Sequence, residues 1–139
     1  PGSSVQAVLK VVGFENVVGI MTAQFFREPG DPSWEKDPAV NAYFEFMKKY
    51  APGESPLDAI GVSGYHNAQM VEYVLTKAGH ELTRQNVVTQ ATTLKNVTLP
   101  MLLPGMTLNN TPDDYRAYNG FRLSRFDGKG WVEVETVKS

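Results

Sequence analysis

The stretch Ser55–Gly79, S-P-L-D-A-I-G-V-S-G-Y-H-N-A-Q-M-V-E-Y-V-L-T-K-A-G, is the longest segment of the chain that reads as one helix. Pro56 suits a first helical position, where its missing N–H would be unpaired in any case. Gly79 suits a left-handed stop at the other end. Leu57, Ile60, Gly61, Gly64, Tyr65, Ala68, Val71, Leu75 and Ala78 recur at the spacing of one apolar stripe on a helix. Val62, Tyr73 and Val74 widen that stripe, so cover on more than one side is expected. Gly61, Ser63, Gly64 and Ala68 are small, and each glycine costs about 1 kcal/mol of helix propensity relative to alanine. The expected return is close approach of another backbone or of a ligand, with tight packing favoured.

Other helices flank this one. Asp37 followed by Pro38 makes a strong helix start, an N-cap with a proline in the first turn. Val40, Tyr43, Phe44 and Met47 form its expected buried stripe, and Lys48 and Lys49 favour the helix dipole in the last turn. Thr83 is the expected N-cap of a helix running to about Leu94, with Leu82 and Val87 spaced as a hydrophobic staple. At the start of the chain, Ser3–Val12 reads as a short helix, with a capping-box spacing at Ser3 and Gln6 and a stop at Gly13.

The remaining segments are extended or looped. Phe14–Met21 contains the run Val17-Val18-Gly19-Ile20, which fits a strand covered on both faces. Arg27–Pro38 carries three prolines and one glycine and must be a loop, with Trp34 as its expected anchor. Leu99–Leu108 is apolar yet broken by Pro100, Pro104 and Gly105, which excludes a helix or a central strand. Such a segment is expected to cross over or between bodies of the protein. Asn109–Asp114 is a polar turn. Tyr118–Phe126 and Trp131–Val137 read as a β-hairpin around Asp127-Gly128-Lys129-Gly130. The fold class expected is α/β, with about four helices, a buried strand, extended crossing segments and a C-terminal β-hairpin.

Composition narrows the function. The chain has 139 residues, of which 42% are hydrophobic and 20% charged, a globular composition of one-domain size. Net charge is −2 with no basic run, so nucleic acid is not an expected partner. No apolar run approaches the ~20 residues that cross a bilayer, so no membrane insertion is expected. Absence of cysteine excludes disulfides and thiolate metal sites and leaves the compartment open. No stretch of these residues reads as a signal peptide, and any targeting segment would belong to a part removed from the chain. The sequence begins at Pro1 rather than Met, which reads as a processed product or a fragment.

Catalytic patterns do not emerge. His66 and His80 lack metal-ligand spacing. Gly61-Val62-Ser63-Gly64 lacks the second spaced glycine of a nucleophile elbow and has no preceding strand. No dinucleotide or phosphate-loop glycine pattern occurs, and no cofactor is expected. Asp113-Asp114 beside Pro112 reads as solvated loop charge. Asn96-Val97-Thr98 and Asn109-Asn110-Thr111 match a glycosylation sequon, a pattern common by chance. Phe25-Phe26 stands out, because it follows a strand end, where α/β proteins place ligands. Residue chemistry alone thus stops at a soluble α/β domain that is not expected to be an enzyme, with binding left open.

The order of segments resembles the C-terminal portion of the type I periplasmic solute-binding proteins, the branched-chain amino acid binding family that feeds ABC transporters. The resemblance is carried by S-S-V-Q-A-V-L-K-V-V-G-F-E-N-V-V-G-I-M-T-A-Q-F (3–25), the D-P-x-W-x-x-D-P loop (31–38) and G-Y-H-N-A-Q-M-V (64–71). L-T-R-Q-N-V (82–87), L-P-M-L-L-P-G-M-T-L-N (99–109) and R-F-D-G-K-G-W (125–131) add to it. It covers nearly the whole chain and rests on order and spacing rather than on one signature.

The resemblance implies a partial type I periplasmic-binding-protein fold, in which two α/β lobes are joined by three crossing strands around a small ligand. Residues 1–26 and 105–139 would be second-lobe elements, and 27–104 mainly first-lobe helices and crossings. Thr22–Phe26 would be one crossing and Leu99–Leu108 the return. The implied function is capture of a small amino acid, or an aromatic or apolar carboxylic acid, in the periplasm for an ABC importer, with ABC permease subunits as partners. The alternative is a ligand-sensing domain of a regulator or receptor with the same fold, which gene neighbourhood would separate. An enzyme with an unrecognised site is a third reading, lacking any catalytic constellation. Implied ligand-binding positions are Gly2, Ser3, Gln24, Phe25, Phe26 and Tyr65. The residues that hold the ligand's carboxylate in the family lie in a part this sequence lacks. The chain would be roughly the last third of a mature protein. Val40, Tyr43, Phe44, Met47, Leu75 and Val88 would then lack the sheet they cover, and a homo-oligomer is expected of the isolated chain.

Overall fold

Capping side chains start the three longest helices among the described residues. A computed structural model describes residues 8–118 and 120–138. The elements are α1 (Lys10–Val12), β1 (Met21–Gln24), α2 (Pro38–Tyr50), α3 (Ala59–Ala78), α4 (Arg84–Ala91), β2 (Gly120–Phe126) and β3 (Trp131–Lys138). Asp37 caps α2 by accepting from the N–H groups of Ala39 and Val40, and Thr83 caps α4 through the N–H of Asn86. The strands form one antiparallel sheet in the order β1-β2-β3. Met21 pairs with Arg125 and Gln24 with Arg122, and a bulge interrupts the β2–β3 ladder between Leu123 and Ser124. The α/β class, the hairpin and the looped Arg27–Pro38 segment stand as the sequence implied. The capping box at Ser3 and Gln6 lies outside the described residues.

Four local expectations shift. The long helix starts at Ala59, not at Pro56, because Asp58 accepts from the N–H of Ile60 at 2.9 Å. A charged oxygen is a stronger cap than the Ser55 hydroxyl, which bonds Leu57 N at 3.3 Å in the preceding turn. The buried face of α3 is also rotated. It presents Val62, His66, Val74 and Ala78, whereas Ile60 is 76% exposed and Val71 and Leu75 are exposed too. Two apolar rows competed, and the row that meets α2 and the crossing segments is the one buried.

Phe14–Asn16 is a 3-10 turn, and the strand begins only at Met21. Gly19 stands at φ +92°, which breaks the β-branched run, and Val18 and Ile20 are exposed. Strand propensity is realised only where β2 offers a partner. Finally, α4 ends at Ala91 rather than near Leu94. Thr92 and Thr93 turn their hydroxyls back onto the carbonyls of Val88 and Thr89, and Asn110 binds both Ala91 O and Leu94 N at 2.7 Å. Leu82, spaced for a staple with Val87, is exposed.

The core forms around the proline-broken segment. Met101, Leu102, Leu103, Met106 and Leu108 are all buried. Met101 joins Val40, Tyr43, Met47 and Val62 on the α2 side, while Leu102, Leu103, Met106 and Leu108 join Val74, Leu94 and Val97. Phe26 and Trp34 pack against both groups. Val40, Tyr43 and Met47 are therefore covered within the chain, contrary to the expectation of an uncovered face, while Leu75 and Val88 stay exposed. A third group, Leu9, Val17 and Phe126, sits under the hairpin.

Arg27 holds the segment in place. Its Nη1 donates to the carbonyls of Pro100 and Leu102, its Nε donates to Asp37 at 3.1 Å, and its guanidinium lies 5.4 Å over the Trp34 ring. Arg27→Lys removes the planar fork, and a loss of about 1–3 kcal/mol in urea unfolding is expected.

The small residues of α3 separate into two kinds. A Cβ on Gly61 would stand 2.9 Å from the buried Tyr43 hydroxyl, whereas one on Gly64 would meet nothing within 4 Å. Gly61, not Gly64, is the close-packed glycine. Gly61→Val is expected to cost about 1–3 kcal/mol by overpacking. Gly64→Ala is expected to stabilise by up to about 1 kcal/mol. Urea midpoints of the two variants check this, and a similar effect for both would contradict the packing.

Candidate functional site

β1 delivers two aromatic residues to the core edge. After Gln24 the chain stays extended, with the Phe25 carbonyl accepting from Leu103 N at 2.9 Å and Phe26 bridging Leu102. The first turns of α3 face this segment. Asp58 fixes where those turns begin, and the Ser63 hydroxyl closes back on Ala59 O at 2.9 Å. Between them lies a cavity of about 300 Å³, walled by Thr22–Pro29 on one side and by Leu57, Ile60, Val62 and Ser63 on the other. That size stands at the lower end for small-molecule sites, and mostly apolar lining with a few polar groups is their usual character.

Charge at the rim is engaged. Arg27 is held by Asp37 and two carbonyls. Glu28 accepts from the Trp131 indole N–H at 2.9 Å. Asp31, buried in the next turn, accepts from Ser33 N at 2.8 Å and Trp131 N at 3.0 Å. The loop after the aromatic pair is thereby tied to the hairpin. Gly130 sits close against that turn, since a Cβ there would stand 3.1 Å from the Asp31 carboxylate.

Of the six residues named from the sequence, Gln24, Phe25 and Phe26 line this one cavity. Tyr65 is not in its lining and packs instead on Tyr43 and Phe46, with ring centroids 5.2 and 4.8 Å apart. Gly2 and Ser3 lie outside the described residues. Among the described residues, no group of three His, Cys, Asp or Glu could hold a metal ion, and no helix is long and apolar enough to cross a membrane.

Sequence reasoning passed over the polar pair behind the wall. His66 on α3 is fully buried, and its Nε2 lies 2.8 Å from the Tyr118 hydroxyl. Its ring sits 4.6 Å from that of Phe26, and the Tyr118 ring lies tilted 5.3 Å from that of Phe25. Among the described residues, His66 Nδ1 has no hydrogen-bond partner. Burial lowers the imidazole from its ordinary 6.5 to about 4 and raises the Tyr118 phenol. A lone histidine on an apolar face carries no spacing signal, and its partner stands 52 positions away.

Residues 4–130 match the family model of the periplasmic binding proteins, and the chain belongs to that family. A sequence search of curated proteins finds no match. Among solved structures, the chain is similar to a branched chain amino acid ABC transporter from Thermus thermophilus with bound valine, at a TM-score of 0.66 and 18% identity. The likeness covers 90% of this chain and 35% of that one, so this chain spans about a third of the relative's length. At that identity the likeness is one of fold. The fold is thus a partial type I periplasmic-binding-protein fold, as the segment order implied.

The buried imidazole makes stability depend on pH. Between pH 6.5 and about 4 the unfolded chain holds the His66 proton and the folded chain does not. The contribution is therefore fully present above pH 6.5 and is lost progressively as pH falls to about 4, below which it is flat. The total loss is on the order of 3 kcal/mol. Urea unfolding across this window is expected to show the fall in the native chain. His66→Gln, which does not titrate, is expected to lack that component.

Proposed function

We propose that this chain is part of a solute-binding protein that captures a small amino acid, or an aromatic or apolar carboxylic acid, for an ABC importer. It works outside the cytoplasm, in the periplasm, against ABC permease subunits, and it acts by binding with no catalytic step. Residues 1–26 and 105–139 belong to one lobe, and 27–104 mainly to the other. The observation that carries the reading is the cavity walled by Gln24, Phe25 and Phe26 against the start of α3, in a chain of the periplasmic binding protein family. Phe25, Phe26, Leu57 and Val62 suit the apolar part of a solute. Arg27 is already engaged, so a solute carboxylate is held by groups other than Arg27.

Solute in a two-lobe fold is enclosed from both sides, and this chain supplies only part of that enclosure. Titration calorimetry of the 139-residue chain with branched-chain amino acids, aromatic amino acids and aromatic acids is expected to give no heat. The full-length protein is expected to bind one of these solutes, and Phe25→Ala or Phe26→Ala to weaken it about tenfold or more. Micromolar binding by the 139-residue chain alone would count against the two-lobe site.

A further inference from the structure

The backbone of the aromatic wall is fixed by the Leu99–Leu108 segment, but its rings are oriented from behind. Phe26 meets the His66 ring at 4.6 Å and the edge of Tyr118 at 6.0 Å. Phe25 meets Tyr118 at 5.3 Å. His66 and Tyr118 come from different parts of the fold, one from α3 and one from the segment entering β2, where Tyr118 bridges Leu108. The 2.8 Å bond between them closes a bracket around the two phenylalanines. An apolar residue at position 66 would fill the same space without burying an unpartnered Nδ1, which opposes folding. The imidazole is therefore not what packing alone favours.

We propose that His66 and Tyr118 are a positioning pair, whose hydrogen bond holds Phe25 and Phe26 in the orientation that shapes the cavity, and that protonating His66 releases them. The role assigned to the cavity rests on the solute-binding reading above, but the positioning itself does not. Neutral His66 can share one proton with the Tyr118 hydroxyl in either direction. Protonated, both ring nitrogens are donors, and Nδ1–H has no acceptor among the described residues. Burial is the influence that acts on its protonation, and among the described residues Tyr118 is the titratable group hydrogen-bonded to it. A buried imidazolium without that acceptor moves out of the bracket, and Phe26 loses its support.

Ring-labelled phenylalanine NMR on the solute-free 139-residue chain tests this, with Phe25→Leu and Phe26→Leu giving the assignments. Phe126, which packs on Phe14 and Trp131 under the hairpin, reports on the fold elsewhere. In Tyr118→Phe, the Phe25 and Phe26 signals are expected to shift while Phe126 stays. In the native chain, an acid titration is expected to move Phe25 and Phe26 together with the His66 ring, with a midpoint near pH 4 and ahead of Phe126. His66→Gln is expected to abolish that movement. Phe25 and Phe26 signals indifferent both to the lost hydroxyl and to His66 protonation overturn the proposal. If Tyr118→Phe fails to fold, the native titration decides, and a single midpoint shared with Phe126 overturns it. A wall that responds as described in a full-length protein that binds no solute sinks the solute reading alone.

Discussion

The guanidinium of Arg27 resolves a conflict that the crossing segment creates for itself. Leu99–Leu108 buries five apolar side chains, yet Pro100 and Pro104 deny it a continuous hydrogen-bond ladder. Backbone carbonyls taken into a core must still be paired. Arg27 answers with donors to Pro100 O and Leu102 O, and its own N–H bonds Met101 O at 2.9 Å. The charge this brings inside is met by Asp37, whose other oxygen is already capping α2. One carboxylate thus starts a helix and balances a cation. Lysine could match the charge but not the planar fork that reaches two carbonyls and a carboxylate together.

That arrangement shapes the cavity beside it. Arg27 follows Phe26 directly, so fixing the arginine fixes where the aromatic wall ends. Trp34 lies under the same guanidinium and packs on both core groups, which anchors the irregular Arg27–Pro38 loop to the core. Three bolts then hold the crossing: Arg27 to the start of α2, His66 against Phe26 from α3, and Glu28 with Asp31 to Trp131 of the hairpin.

How far the sequence could be read follows from the range of the forces. Asp37-Pro38, Thr83 and Asp127-Gly128-Lys129-Gly130 act within a few residues, and each was legible in place. Prolines at 100 and 104 likewise ruled out helix and central strand locally. The start of α3 failed because two cap signals stood three residues apart, and only their relative strength decided between Ser55 and Asp58. The buried row of α3 failed because both rows were apolar and only the packed neighbours chose. β1 moved because its partner, β2, lies about a hundred residues on, from Arg122 to Arg125 against Gln24 to Met21. The threonines after α4 carried a readable signal, the habit of short hydroxyls to bond the preceding turn.

The cavity shows the same division. Phe25 and Phe26 were legible as an aromatic pair leaving a strand, although the strand itself lay later than expected. What holds the rings and the loop after them was not legible, because it depends on partners far apart in the chain: His66 with Tyr118 at 52 positions behind the rings, and Glu28 with Trp131 at 103 in the loop. No local pattern specifies such a pair. Each partner alone looks ordinary, a core histidine, a tyrosine before a strand, an acid in a loop. Only when α3, the proline-broken segment and the hairpin close on the Thr22–Pro29 segment do these groups acquire one another. The wall is therefore a product of the whole chain's tertiary contacts, and that is the physical reason a cavity of this kind is present here without any motif to announce it.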